Sequence, residues 1–543
     1  MVAASRRTLA AGGVLTAGFV DEAGDTLLLG IDDGTTAVKA ALFDPELRPL
    51  ALARRAVATS HPGPGLVEQD PEEVLDAVVS TVAEVLADVP PSARIVAGLA
   101  HQGESVLAWE QGAGPLTPIV VWQDKRQEEL LADIDADDVR RSGLPIDPYF
   151  SAGKLAWLAR NDAGVAGAAE RGTLRMGTVD AFLVDRLGGR FATDLSTASR
   201  TQLLALGGTG WDAELLATFG LDAAWLPAVA PTFGRLGRLR SDRWDREIEL
   251  CAQLVDQQAA LAGSGAVRPG TVKATYGTGV FVLARTDGPV EARGLLPTVA
   301  WAAPVGDGPA RAFADAGGDG GAGAVDDPGR GGVGVGVGVG VGEVAYALDG
   351  GVFTAGALLE WLARDLGLAP DVPTLARAAA EVTDSAGVKV LPALAGLGSP
   401  WWQPSARGVI AGLHGGVRPG HVARAALEAI AWRVAEIVGA IAAHGPVDTL
   451  RVDGGLTNDP TLLQLQADAL GLPLEIGPAD ATVLGAALLA GVGAGVFASV
   501  EDAAERSAGG RAPVTVTPRS DEASRQRARR AWRAFVETGS ALG

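Results

Sequence analysis

Leu27-Leu28-Leu29-Gly30-Ile31-Asp32-Asp33-Gly34-Thr35-Thr36 is an apolar run that stops at two carboxylates, a glycine and two threonines. The run reads as a buried strand, and Asp-Asp-Gly is turn chemistry. Ala37 to Phe43 follows at once as a second strand, so Asp32 to Thr36 is predicted to be a hairpin tip. Leu50 to Ala58 gives a third strand. Pro71, then Glu72-Glu73 and apolar residues at helical spacing to Val89, predicts an amphipathic helix. Ile95 to Ala100 is a further short strand. Three antiparallel strands, a helix and another strand predict an α/β layer built on a sheet.

The same pattern returns later. Thr271 to Thr275 reads as a strand, Tyr276-Gly277-Thr278-Gly279 as a tight turn, and Val280 to Ala284 as the returning strand. Two glycine-threonine hairpins predict two related domains facing one another, with a boundary near Ala262 to Pro269. A chain of 543 residues is too long for one core. The expected division is an extension over residues 1–25, domains over 26–265 and 266–520, and a C-terminal helix over 521–543. Helices are expected near 354–366, 419–443, 460–470 and 482–490, with a strand at Leu450 to Val452. Residues 306–342 are rich in Gly, Asp and Ala and end in a Gly-Val alternation. Glycine at every second place gives neither packing nor register, so this segment reads as a surface insertion without a catalytic role.

Composition excludes several classes of function. A net charge of −20 argues against nucleic acid or an anionic membrane as partner. No apolar run reaches membrane-spanning length. Cys251 is the only cysteine, which rules out an intrachain disulfide and a cysteine-rich zinc site. Ser5-Arg6-Arg7-Thr8-Leu9, followed by apolar residues to Val20, resembles a twin-arginine export signal. The run is short and glycine-rich, and Asp21-Glu22 ends it, so a cytoplasmic protein is expected.

Three turns carry phosphate chemistry. Gly34 lets backbone N–H groups approach phosphate oxygens, Thr35 and Thr36 add hydroxyl donors, and Lys39 lies just beyond. Asp32 is placed to hold a hydrated Mg²⁺. The plainer reading is a hairpin turn in which Asp and Gly satisfy the dihedral angles. Gly277-Thr278-Gly279 is a turn of the same kind. Val452-Asp453-Gly454-Gly455-Leu456-Thr457-Asn458-Asp459 follows a strand and opens a helix, as an anion site at a helix N-terminus would, or as a loop closing on an Asx cap. No Walker pattern accompanies these turns. In Ala252-Gln253-Leu254-Val255-Asp256-Gln257-Gln258-Ala259-Ala260, Asp256 stands where the strand Ile248 to Val255 yields to a small-residue helix. It is either a base beside two amides or that helix's cap.

Tyr149-Phe150-Ser151-Ala152-Gly153-Lys154-Leu155-Ala156-Trp157-Leu158-Ala159-Arg160 is one long signature. The other runs from Gly408-Val409-Ile410-Ala411-Gly412-Leu413 to His421-Val422 and Ala425-Ala426-Leu427-Glu428. With Val121-Trp122-Gln123-Asp124-Lys125-Arg126, Gly177-Thr178-Val179-Asp180 and Thr197-Ala198-Ser199-Arg200-Thr201, they give the chain a resemblance to FGGY-type carbohydrate kinases, nearest the glycerol kinases, from about Leu27 to Val500. The resemblance implies an α/β fold of two actin-like, ribonuclease H-like domains flanking a deep catalytic cleft. It implies ATP and Mg²⁺ as cofactors, and transfer to a terminal hydroxyl of a small polyol, glycerol first. A four- or five-carbon polyol or a ketose is the alternative acceptor. A homodimer or homotetramer is compatible with it.

By resemblance, Asp256 is the general base and Gln257 holds a substrate hydroxyl. Glu104 and Tyr149 bind the polyol, while Trp122 and Phe281 wall it. Thr36, Lys39, Thr278, Gly356, Glu360, Gly455 and Asn458 match the nucleotide side, alongside Gly34, Thr35, Gly279 and Gly454 of the turns. Asp32, with Asp256, matches the metal. The chain departs from the pattern at several places. His101-Gln102-Gly103-Glu104 stands where glycerol kinases usually read Asn-Gln-Arg-Glu, so Gly103 replaces a forked donor and is expected to open space for a longer acceptor. His101 is either a replacement donor or, the plainer reading, a strand-end histidine satisfied within the fold. Val255 replaces a usual Gly, and Glu360 a usual Gln. An actin-like or heat-shock-chaperone-like ATPase shares the phosphate turns but lacks the Tyr149 to Arg160 signature and the Asp-Gln-Gln stretch. A non-catalytic sugar sensor is disfavoured by the intact Asp32 and Asp256.

Overall fold

The computed structural model describes residues 26–306, 340–509 and 513–541. The expectations for residues 1–25, and for 307–339 of the insertion, lie outside the described residues. The chain folds into two compact units. One takes the chain to Gly263, with Trp301–Val344 and Thr482–Gly509; the other takes Ser264–Ala300, Ala345–Ala481 and Gly510 onward.

The first unit is built on β1 (Thr26–Asp33), β2 (Ala37–Phe43), β3 (Pro49–Ala56), β4 (Arg94–His101), β5 (Phe233–Leu239) and β6 (Ile248–Val255). They lie in the order β3-β2-β1-β4-β6-β5. The predicted hairpin is present: β1 and β2 pair antiparallel, with Asp32 opposite Lys39. β4 runs parallel to β1, and β6 parallel to β4. Apolar side chains fill the core, Leu29, Ile31 and Val38 packing with Val74 and Val78 of the helix Pro71–Leu86. Asp70 caps that helix by accepting from the Glu72 N–H at 2.9 Å. It ends three residues before the predicted Val89, whose N–H turns back to Leu86.

A second sheet holds β7 (Thr271–Tyr276), β8 (Val280–Thr286), β9 (Leu296–Pro304), β10 (Val341–Val352), β11 (Thr449–Asp453), β12 (Leu474–Ile476) and β13 (Val514–Val516), all in the second unit except Trp301–Pro304 of β9 and Val341–Val344 of β10. Their order is β9-β10-β8-β7-β11-β12-β13. A hairpin β7-β8 pairs antiparallel, β11 lies parallel to β7 and β12 parallel to β11, and β13 closes the edge antiparallel. Apart from the extra edge strand β9, this repeats the plan of the first sheet, so the two glycine-threonine hairpins occupy matching places.

Two local readings change. Val341 and Gly342, the end of the Gly-Val alternation, begin β10. The period of two serves as a strand there because β9 supplies a ladder, and Val305 N–H already bonds the Gly340 carbonyl at 2.9 Å. The helix expected over 354–366 is a short α-turn, Gly356–Glu360, continued by a π-turn, Trp361–Asp365.

Backbone-to-backbone contact explains several glycines. The helix Ala481–Gly493 lies against the sheet and the Asp256–Gly263 helix of the first unit. A Cβ on Gly30 would fall 1.9 Å from the Val483 carbonyl oxygen, and one on Gly98 2.0 Å from that of Ala486. A Cβ on Gly485 would fall 1.8 Å from the Ala259 carbonyl oxygen. Gly485→Ala must therefore push apart the helix that Asp256 begins. A loss of about 1–3 kcal/mol of stability is expected, read as a lower urea midpoint.

Candidate active site

Parallel pairing lines up three strand ends. Asp33, His101 and Val255 are register partners at the carboxyl ends of β1, β4 and β6. The segments that follow are Gly34-Thr35-Thr36, Gln102-Gly103-Glu104 and Asp256-Gln257. Such a row of strand ends is where an α/β sheet places its ligand groups. Asp256 starts a helix that runs to Gly263, and its Oδ1 accepts from the Gln257 N–H at 2.7 Å. The first unit thus gathers Asp32, Gly34, Thr35, Thr36, Lys39, Gly103, Glu104, Trp122, Tyr149, Asp256 and Gln257. Phe281 belongs to the second unit, on β8.

A ring of hydrogen bonds ties the hairpin to the acceptor loop. Trp122 Nε1 donates to Thr35 Oγ1 at 3.0 Å, and Trp122 N donates to Ser105 Oγ at 3.0 Å. Ser105 Oγ donates to Gln102 Oε1, Gln102 Nε2 to Gln69 Oε1, and Gln69 Nε2 to the Thr35 carbonyl, at 3.1, 2.8 and 2.6 Å. Trp122 is therefore more than the apolar wall expected of it. By donating to the Thr35 hydroxyl it leaves that hydroxyl's own hydrogen to point elsewhere.

Glu104 sits in a left-handed backbone conformation, φ 60°, a strained state for a residue with a side chain. Its carboxylate is 4% exposed, and Arg200 Nε donates to its Oε1 at 2.7 Å. The Arg200 guanidinium also lies 5.7 Å from the centre of the Tyr149 ring, and Trp122 meets that ring edge-on at 5.7 Å. Lys154, in the first helical turn after Tyr149, donates to the carbonyls of Pro148, Tyr149 and Phe150 at 2.7, 2.7 and 3.2 Å. Burial pulls its ammonium down to about 7, against Glu104, Asp124 and Asp147. The three carbonyls favour the charged form, and they pin the segment that carries Tyr149.

The structure answers two of the sequence expectations. His101 is fully buried and uses both ring nitrogens internally, Nδ1 with the Gln102 carbonyl at 3.0 Å and Nε2 with Thr197 Oγ1 at 2.9 Å. It has no nitrogen left to replace the missing fork. Beside Gly103 stands Val255: a Cβ on Gly103 would lie 2.9 Å from Val255 Cγ1. Arg200, Asp33, Gln69, Gln102 and Ser105 did not stand out as site residues in the sequence. Arg200 lay inside a recognised motif, but its contact with Glu104 spans 96 positions.

Asp33 is buried next to these groups. Burial, then Asp32, then more weakly Asp256 and Asp180, push its carboxyl from 3.8 up to about 8, with the Gln102 amide opposing. A carboxyl raised in the folded state stabilises the fold fully below pH 3.8. That contribution is lost as pH climbs towards 8, at about 1.4 kcal/mol per pH unit between the two values. Asp33→Asn is expected to remove this slope. Urea midpoints of the variant and the wild type should diverge from pH 5.5 to 8, the variant gaining.

In the second unit, Thr275 is the parallel partner of Asp453, so Gly277-Thr278-Gly279 and Gly454-Gly455 emerge side by side. Gly454 has φ 95°, and a Cβ on it would fall 2.4 Å from the Tyr276 carbonyl oxygen. Gly356 N–H bonds the Gly277 carbonyl at 3.1 Å, and Ala357 N–H the Thr278 carbonyl at 3.1 Å. Thr278, Gly279, Gly356, Gly454, Gly455 and Asn458 thus share one end of the sheet. Gly455 to Asn458 form a 3-10 turn, and the stretch then opens a helix behind an Asx cap, Asp459. The next helix, Pro460–Leu470, has its first N–H groups taken by Asp459, so an anion there must use the glycine turn instead. Glu360 is exposed and pairs with Arg364 at 3.1 Å.

Two sheets of one plan, each with glycine-threonine turns at its strand ends, and a carboxylate beside one of them are the parts phosphate chemistry needs, shared by phosphotransferases and actin-like ATPases. The model of the FGGY family of carbohydrate kinases matches over residues 27–263 for its N-terminal domain and 272–494 for its C-terminal domain. The chain belongs to that family. It is 38% identical over 523 residues to the glycerol kinase of Citrifermentans bemidjiense, covering 94% of this chain and 98% of that one. It is 39% identical over 525 residues to the glycerol kinase of Thermus brockianus, with the same coverage, 94% and 98%. Among solved structures, glycerol kinase of Plasmodium falciparum with ADP superposes with a TM-score of 0.80 at 27% identity, covering 95% of this chain and 98% of that one. No helix among the described residues is long and apolar enough to cross a membrane.

Proposed function

We propose that this chain transfers the γ-phosphoryl group of ATP to a terminal hydroxyl of a small neutral polyol, glycerol first. The observation that carries the reading is the alignment of Asp256, Glu104 and the Gly34 turn at the ends of three neighbouring parallel strands. Asp256 accepts the proton of the attacking hydroxyl. Glu104, oriented by Arg200, and Tyr149 and Gln257 hold the acceptor's hydroxyls. The turn N–H groups, the Thr35 and Thr36 hydroxyls and Lys39 meet phosphate oxygens. On its own sheet the second unit carries glycine turns around Thr278 and Gly455 of the same phosphate-binding kind. Positioning and charge stabilisation suffice for phosphoryl transfer, which needs little covalent help. The names of the two bacterial relatives support glycerol, and the ADP in the Plasmodium structure's name supports ATP.

Mg²⁺ fits the donor set. Asp32 and Asp33 act on one another electrostatically, as do Asp33 and Asp256, while no group of three ligand-type side chains forms a closed cage among the described residues. Mg²⁺ is usually held by one or two carboxylates, its remaining sites going to water and phosphate. Asp32 and Asp256 would hold it, and it would neutralise phosphate charge.

The test is ADP release by purified protein against a panel of polyols and ketoses. Turnover strictly dependent on glycerol supports the reading. Acceptor-independent ATP hydrolysis would make the chain an ATPase instead, and preference for a ketose would move it to the alternative acceptor class.

A further inference from the structure

Residue 103 is a glycine with a neighbour aimed at it. A Cβ built on Gly103 would lie 2.9 Å from Val255 Cγ1 and 3.8 Å from Val255 Cγ2, both side-chain atoms. The first distance is shorter than real Cβ contacts, so no larger residue fits at 103 while Val255 keeps its place. Val255 is 2% exposed, and its β-branched side chain has little rotamer freedom with which to yield. His101, two residues before Gly103, is the register partner of Val255. Gly103 directly precedes Glu104 and Val255 directly precedes Asp256. The contact therefore joins the residue that grips the acceptor to the residue that takes its proton.

We infer that Gly103 and Val255 form one specificity element of the acceptor site, the isopropyl group holding the volume that any side chain at 103 would take. This rests on the kinase reading above. Its consequence runs against the first expectation from Gly103. The glycine does not enlarge the site; the valine has closed it, and the acceptor stays a three-carbon polyol. Polar recognition then falls to Glu104, Tyr149 and Gln257, with Arg200 acting through Glu104 rather than on the acceptor. Replacing Val255 by glycine should reopen the volume beside Gly103 and admit one more CHOH unit.

Two measurements on the full chain test the pair. The first is a double-mutant cycle in melting temperature with Gly103→Ala, Val255→Ala and both. Gly103→Ala alone should lower Tm by several degrees, and Val255→Ala should recover most of that loss in the double variant. Additive shifts, or a Gly103→Ala protein as stable as wild type, would overturn the coupling. The second is kcat/KM for glycerol and erythritol in wild type and Val255→Gly. Wild type should favour glycerol by at least ~10-fold, and Val255→Gly should shift the ratio towards erythritol by ~10-fold or more. An unchanged ratio, or a wild type that takes erythritol as readily as glycerol, would overturn the specificity role. If wild type phosphorylates no polyol, the kinase reading fails, and the Tm cycle still decides whether the two positions are coupled.

Discussion

Asp256→Asn is expected to lower kcat for polyol phosphorylation by at least ~10²-fold while leaving the fold and acceptor binding in place. Asparagine keeps the shape and can still accept the Gln257 N–H, as Asp256 Oδ1 does at 2.7 Å. It cannot take a proton from a hydroxyl. The effect must therefore fall on kcat rather than on KM, and pre-steady-state measurement should show the loss in the chemical step. Circular dichroism and the urea midpoint should stay close to wild type. An Asn variant that turned over its acceptor at near wild-type rate would leave Asp256 as only the first residue of its helix.

The second large effect is expected at Arg200. Arg200→Met would leave the Glu104 carboxylate 4% exposed beside an apolar side chain. Removing one partner of a buried ion pair costs about 3–5 kcal/mol, because the remaining charge stays desolvated. Glu104 also holds a left-handed backbone, so the loop around it has little stability to spare. The urea midpoint should fall sharply, and KM for the polyol should rise more than kcat falls. The double variant Glu104→Gln, Arg200→Met should recover a large part of the stability, since it removes the stranded charge, but none of the acceptor affinity. A single variant as stable as wild type would show that water or another cation already serves Glu104.

Much of the fold was legible because it is written in local pattern. The apolar run ending in Asp32-Asp33-Gly34 could only be a strand entering a turn, and its echo at Tyr276-Gly277-Thr278-Gly279 announced a second sheet of the same plan. The strand Ile248–Val255 and the helix beginning at Asp256 were readable from a change of period. Where periodicity and turn chemistry conflict, the reading slipped. The Gly-Val alternation hid the start of β10, and one apolar helix pattern near 354–366 concealed a switch to π-turn geometry.

The sequence by itself determined the class of fold, the two hairpins, the family and the carboxylate at the end of β6. Each depends on residues close together in the chain, where period, turn and motif act. Only the tertiary structure decided what those residues meet. Arg200 reaches Glu104 across 96 positions, and Val255 sits where a Cβ on Gly103 would go, from a strand more than a hundred residues away. For His101 the sequence left a replacement donor and a satisfied strand-end histidine both open, and the structure settles on the second by bringing Thr197 against it. Close packing and ion pairing are set by distance in space, and one sequence does not state which distant positions become neighbours.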